Sequence, residues 1–483
     1  MLAVGWYYSR RTATTADFLL GGRNMSPWMV GLSLFATLLS TLTYLAIPGE
    51  MIMYGPMVLS QLVAIPFVGL VVGWLLIPII VRQRVISAYE ILETRFGLGV
   101  RMTGSCFFLS LRLFWMSLVI FATAKSVLVP ILHLDPSTIP WVCAVLGLVT
   151  VAYTSMGGLR AVVLTDVVQV FILFGGAALI LVLIAIDMGG ISTWWPSQWP
   201  AHWQRPVFWV EPEIRFTFAG GFLSFFTWNV CTAGADQMAV QRYLATRDVH
   251  AARRMYNMSL LTNVALMPFL ALVGVALMAY FLARPEMLHA GHTVVGNSDE
   301  LLPSFIVRGL PAGVSGLVIA ALLAAAMSSL SSGLNSVCSV ITSDFIDRFR
   351  KDDLAENRRV LLAKGVSVTV GIVVVLLSPL FGYLEGNLLE LCYKVANLLT
   401  VPLFMMFFMA LFIPWATAPG TLFGTTVSLV VVVAIGYQKE LGLEFMENLG
   451  VSFVWMMPAA FVAGSVSGML ASLLPARRRP MLG

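Results

Sequence analysis

The densest group of hydroxyl oxygens in this chain lies in an apolar run that begins near Gly313. There Ser328-Ser329-Leu330-Ser331-Ser332 puts four serines in five positions, just after Ala324-Ala325-Ala326. On a helix, Ala325, Ser328, Ser329 and Ser332 are spaced i, i+3, i+4 and i+7 and share one face. Hydroxyls gathered in a low-dielectric interior suit a small hard cation, which takes oxygen ligands. Small residues also let membrane helices pack closely, and serine can bond back to its own helix. On this stretch alone, both uses stand.

Asp166 lies about two turns into another apolar run, after Gly157-Gly158-Leu159-Arg160. A carboxylate at that depth is costly and marks function. It can complete a cation site, relay a proton, or pair with an arginine such as Arg160. Ser40, Thr41, Thr43 and Tyr44 set polar groups in a third run. If the helix unwinds there, its freed carbonyls need partners, and a cation can supply one. Arg112 lies inside a fourth run, with Lys125 deeper. A mid-membrane arginine can hold a carboxylate as a bidentate pair, whether from a solute, Glu50 or Asp166. Lys394 can contact a solute or snorkel to the interface.

These residues need elements that cross a bilayer. Of 483 residues, 59% are hydrophobic and 11% charged, against about 25% charged in soluble proteins. The chain is therefore read as a polytopic, all-α membrane protein. Twelve spans are expected near 27–54, 56–81, 100–132, 137–155, 159–187, 217–240, 254–284, 312–345, 360–381, 387–413, 419–437 and 451–475. Met1–Tyr8 is apolar but too short to span, and is read as the remnant of a truncated N-terminal helix. Alternation puts 21 of the 29 basic residues on one side. These include Arg10, Arg11, Arg101, Arg242, Arg348 and Arg477–Arg479, so that side, with the C-terminus, is read as cytoplasmic. The net charge of +5 falls in loops and implies no nucleic-acid partner. The five cysteines are scattered in apolar segments and form no CxxC pair, which argues against a disulfide framework or metal site. P-loop, GxSxG, HExxH and dinucleotide motifs are absent, so the chain is read as no enzyme and as using no organic cofactor.

Interrupted helices occupy matching positions in two halves. The first half has Ser40-Thr41-Leu42-Thr43 and Pro48-Gly49-Glu50. The second has Gly220-Gly221, Asn229 and Thr232–Asp236. Such pairs point to an inverted-repeat transporter. The expected divisions are a remnant and cytoplasmic segment (1–26), a first repeat (27–187), an external loop (188–216), a second repeat (217–413), and two peripheral spans with a basic tail (414–483).

Three motifs occur in a known order: Gly157–Val162 with Thr165-Asp166 and Gln169; Asp236-Gln237 with Val240-Gln241-Arg242-Tyr243; and Ser328-Ser329 with Leu334-Asn335-Ser336. With them, nearly the whole chain from Asp17 onward resembles the sodium/solute symporters of sodium–glucose cotransporter type. The resemblance implies a leucine-transporter-like 5+5 inverted-repeat core with two further C-terminal spans, working by alternating access. Carried over by position, backbone carbonyls of Ala36, Leu39 and Ala325 and hydroxyls of Ser328 and Ser329 form the main sodium site. Asp166, Ser331 and Ser332, with Ser328 shared, form a second. Two sodium ions are thus expected as coupling ions. Thr43, Gln61, Arg112, Asn229 and Tyr393 become the solute contacts. Leu39–Glu50 looks more like the anion, vitamin and sialic-acid branches than the sugar branch. Import of an organic anion, a sialic acid or a sugar-like solute across a cell membrane is the expected function. The rival expectations are proton coupling through Asp166 and a transporter-like membrane sensor.

Overall fold

A computed structural model describes residues 7, 15–39, 41–83, 85–132, 134–288, 291–350, 355–383, 387–444 and 449–474. Most of the proposed N-terminal remnant, Ser40 and the basic tail at 477–479 lie outside the described residues. Every described element is helical.

Nine described helices are long and apolar enough to cross a membrane, and a bent pair supplies a tenth crossing. The other two expected spans are shorter. One is the apolar helix Pro136–Ala152, which continues through a kink at Gly158 (φ 61°, ψ −167°) instead of ending in a loop. Only glycine suits that backbone, and a Cβ there would lie 2.7 Å from the Phe18 carbonyl oxygen. The other is Phe218–Ala235, cut short at Asp236.

The helices that position the site are α1 (Pro27–Leu38), α2 (Thr41–Tyr54), α3 (Leu98–Thr123), α4 (Gly158–Met188), α5 (Phe218–Ala235), α6 (Gln237–Leu244), α7 (Val249–Ala283), α8 (Ala312–Val340) and α9 (Leu388–Phe412). α10 (Ala418–Gly436) and α11 (Met456–Ser472) follow and pack on each other. α8 runs against α4, and α1 packs against α4, α7 and α8. Outward faces are apolar: Trp141, Phe171, Ile186, Leu361, Leu376 and Leu470 are each more than half exposed. Water disfavours such a surface, whereas hydrocarbon accepts it.

Both expected interruptions are present, each centred on an extended residue. Leu39 ends α1 with φ −84°, ψ 114°, and α1 and α2 meet at 62°. Asp236 ends α5 with φ −80°, ψ 121°. Pro48-Gly49-Glu50, expected to interrupt the first helix, lies inside α2. Two arginines read as loop charges are in fact buried. Arg101 pairs with Asp344 at 2.7 Å and Glu93 at 2.5 Å, and Arg242 lies in the bundle centre, fully buried. Local sequence cannot separate a loop charge from one whose partner comes from a distant helix.

Candidate cation and solute sites

Ser33 and Thr37 lie one turn apart on α1, and Ser328 and Ser332 one turn apart on α8. Asp166 projects from α4 between them. Ser328 Oγ donates to one oxygen of Asp166 at 2.5 Å, and Ser33 Oγ to the other at 2.5 Å. Thr37 Oγ1 donates to Ser332 Oγ at 2.8 Å. The Arg242 guanidinium closes the group from α6. It lies 3.6 Å from Asp166, donates to Ser332 Oγ at 2.7 Å, and also bonds Ser33 and Thr37. All six side chains are buried. A carboxylate in so dry a place needs a cationic partner, because removing one member of a buried pair strands the other's charge.

Ser329 faces the broken end of α1, where its hydroxyl donates to the Thr37 carbonyl at 3.3 Å. Nearby, Thr41 Oγ1 bonds the Leu322 carbonyl at 2.7 Å. These two bonds join α8 to the chain on either side of Leu39, beside Ala36 and Ala325, which are also buried. Ser328, expected in the main site and shared with the second, gives its hydroxyl to Asp166. Ser331, read as facing the carboxylate, bonds its own helix at the Ser328 carbonyl, 3.1 Å away. The offered pairing of Asp166 with Arg160 does not form: Arg160 Nε donates to the Gly21 carbonyl at 3.0 Å, and Asp166 pairs with Arg242. Ser33, Thr37 and Arg242 were missed as members. Ser33 and Thr37 have only their i, i+4 spacing to mark them, and Arg242, within the Asp236–Tyr243 motif, reads locally as a loop charge. The donor set of hydroxyls, one carboxylate and unwound backbone suits a hard cation.

Beside this group lies a cavity of about 140 Å³. Thr43, Gln61, Arg112, Asn229 and Tyr393 all line it, as does Leu39. Arg112 is ion-paired to Asp236, the residue at the α5–α6 break; the offered partners Glu50 and Asp166 are taken elsewhere. Asn229 Nδ2 donates to the Phe225 carbonyl at 2.9 Å. Two further lining residues escaped the sequence reading, Asn263 on α7 and Asn397 on α9. Gln61 Nε2, Asn263 Oδ1 and Asn397 Nδ2 are buried without a protein hydrogen-bond partner. Unpaired polar groups in a buried pocket cost free energy until a solute or water satisfies them. Trp115 and Trp228 add flat apolar wall.

Outside the cavity lining, Arg215 grips Glu50 with two bonds of 2.8 and 2.9 Å. Its guanidinium lies 4.2 Å from the Tyr54 ring centre and 4.8 Å from that of Phe453. Tyr393 packs edge-on against Phe453 at 5.1 Å. Lys394 points away from the solute cavity, to Glu440 at 2.7 Å and Glu390 at 3.2 Å.

Comparison with known proteins places this geometry. The model of the sodium:solute symporter family matches residues 18–428. The sodium/sialic acid symporter of Proteus mirabilis is 32% identical over 93% of this chain and 90% of its own length. The human sodium-coupled monocarboxylate transporter 1 is 28% identical over 91% of this chain and 72% of its own. A solved structure of a Na+-coupled sialic acid symporter, substrate-bound, outward-open and described as revealing a novel Na+ site, superposes with a TM-score of 0.79. It has 29% identity and covers 98% of this chain and 95% of that one. The hydantoin-bound transporter Mhp1, at 16% identity and a TM-score of 0.60, shares the fold.

Proposed function

This chain belongs to the sodium:solute symporter family, an integral membrane protein coupling a small solute to sodium and not an enzyme, and from that premise we propose which residues hold its ions and solute. The main sodium ion sits between the broken end of α1 and α8, on carbonyls of Ala36, Leu39 and Ala325 and hydroxyls of Ser328 and Ser329. A second sits at Asp166 with Ser328 and Ser332, and with Ser331 once its hydroxyl turns from its own helix. The convergence of α8 hydroxyls, the α1 break and Asp166 carries this reading. A solved relative described as having a novel Na+ site supports a second ion.

The solute is an organic anion of sialic-acid or monocarboxylate type. Its carboxylate is drawn to Arg112, and its polar groups to Gln61, Asn263, Asn397, Asn229, Thr43 and Tyr393. Relatives that carry sialic acid and monocarboxylates support the class. Residues 27–187 and 217–413 act as two repeats that rock about the ion sites, the extended breaks at Leu39 and Asp236 being the support. The protein resides in the cell membrane with its C-terminus in the cytoplasm, and sodium binding favours the outward-open state by holding α8 to α1.

The test is uptake of labelled sialic acid and labelled pyruvate into proteoliposomes. An inward sodium gradient should drive accumulation of at least one of them. Ser329→Ala should raise the sodium concentration for half-maximal uptake about tenfold, ~1.4 kcal/mol. A variant with the wild-type sodium dependence sinks the assignment of Ser329, and uptake driven by a pH gradient without sodium would move coupling to a proton on Asp166.

A further inference from the structure

One short helix touches both sites. α6 has only eight residues, yet its two ends carry the ion pairs described above. At its start Asp236 accepts from the Met238 backbone N–H at 2.8 Å, and its other carboxylate oxygen pairs with Arg112 in the cavity wall. Near its end Arg242 reaches Asp166, Ser33, Thr37 and Ser332. The Arg242 guanidinium also bonds the Met238 carbonyl at 3.0 Å, bracing the side chain along the helix. All eight residues of α6 are buried. Gln237 is pinned to the Ala88 N–H at 2.9 Å and the Ile86 carbonyl at 2.7 Å, and Gln241 to Ser336 at 2.8 Å. A helix so clamped is one rigid piece, because packed interiors switch between discrete arrangements and do not deform smoothly.

We propose that α6 is the coupling element between the cation group and the solute cavity, with Asp236 and Arg242 as its positioning residues. This rests on the reading of Asp166 and Ser332 as cation ligands. A sodium ion taking oxygens from Asp166 and Ser332 competes with Arg242 for the same atoms. Arg242 then yields, and α6 carries the change to Asp236. Asp236 relaxes its hold on Arg112, and the guanidinium becomes available to an anionic solute. The linkage is reciprocal: a solute carboxylate that takes Arg112 frees Asp236 and, through α6, draws Arg242 away from the ion's ligands. Neither Asp236 nor Arg242 needs to contact the solute.

Sodium alone is the first probe, and Cys392, a native thiol in the cavity lining, is the reporter. In full-length protein carrying Cys106→Ser, to remove the exposed thiol, sodium replaces choline at constant ionic strength. The unfolding temperature reports ion binding, and the rate at which a small methanethiosulfonate modifies Cys392 reports the cavity. Without either α6 substitution, sodium should raise the first and change the second at least fivefold, with one midpoint. Asp236→Asn keeps the cap geometry and should retain the thermal response, while the change at Cys392 falls below twofold. Arg242→Lys keeps a charge beside Asp166 but loses the fork, and should shift the sodium midpoint and lose the change at Cys392. Retention of the full Cys392 response in Asp236→Asn overturns the coupling role. So does a labelling rate that ignores sodium in the parent protein while the thermal response stands. Absence of the thermal response in the parent protein instead refutes the cation sites themselves. Where Arg242→Lys fails to fold, Ala239→Gly, which leaves both charges in place and loosens the helix between them, should weaken the Cys392 response at an unchanged thermal response, and a full response there is equally fatal.

Discussion

Asp166 shows what a single residue can and cannot announce. A carboxylate inside an apolar run is conspicuous because it is costly to put there. Its partner was not conspicuous, because Arg242 is distant in sequence and close only in the folded bundle. Asp299 is the opposite case, an ordinary loop residue made unusual by folding. It lies in the helix Ser298–Arg308, outside the spans. Burial lifts its carboxyl from 3.8 to about 6, opposed by the Leu388 N–H it accepts at 3.0 Å and reinforced by the charge of Glu50. The folded state therefore binds more protons than the unfolded chain between pH 4 and 6. This group's penalty is absent below the lower value and fully present above the higher, so stability from this source falls as pH rises through that window. Asp299→Asn should flatten the slope and raise stability at pH 7.5 by up to about 3 kcal/mol. Unfolding temperatures across pH 4.0–7.5 check it, and parallel curves for the two proteins would refute it.

At the scale of elements, hydropathy is a good guide to long helices and a poor one to their breaks. The polar residues around Thr41 and Asp236 did mark broken helices, since unwound backbone needs polar company. Their positions depended on contacts: α1 ends at Leu39, while Pro48 is carried inside α2, packed against neighbours that tolerate it. The crossing of α10 and α11 is set by small residues in the same way. A Cβ on Gly424 would lie 2.5 Å from the Gly464 carbonyl oxygen and 2.8 Å from the Gly468 Cα. Gly424→Val should force these helices apart and cost about 1–3 kcal/mol. Val430→Ala, on the exposed face of α10, should stay within about 0.5 kcal/mol. Thermal unfolding in detergent distinguishes them, and equal unfolding temperatures would show that the two helices do not need this contact.

At the scale of the whole molecule, the ion count determines how the protein responds to voltage. The two sodium ions proposed above, with one monoanion, would move one net positive charge per cycle. Each 100 mV, inside negative, then adds ~2.3 kcal/mol to the driving force. A potassium diffusion potential imposed with valinomycin should raise steady-state accumulation of an anionic solute at fixed sodium gradient. Voltage-independent accumulation would mean one sodium ion per anion and would leave Asp166 paired to Arg242 and its two serines, without an ion.

Composition alone determined that this chain lives in a membrane, because 59% hydrophobic residues in long runs have no other stable solvent. Spacing determined which face of α8 carries hydroxyls, since helical period is a local property. The motifs carried the family. Only the tertiary structure decided that Ser328 serves Asp166, that Ser331 turns to its own helix, that Arg112 belongs to Asp236, and that Arg242 belongs to the bundle centre. Each of those is a choice among partners far apart in sequence. Such choices are fixed by how helices pack, where desolvation makes every unpaired polar group costly.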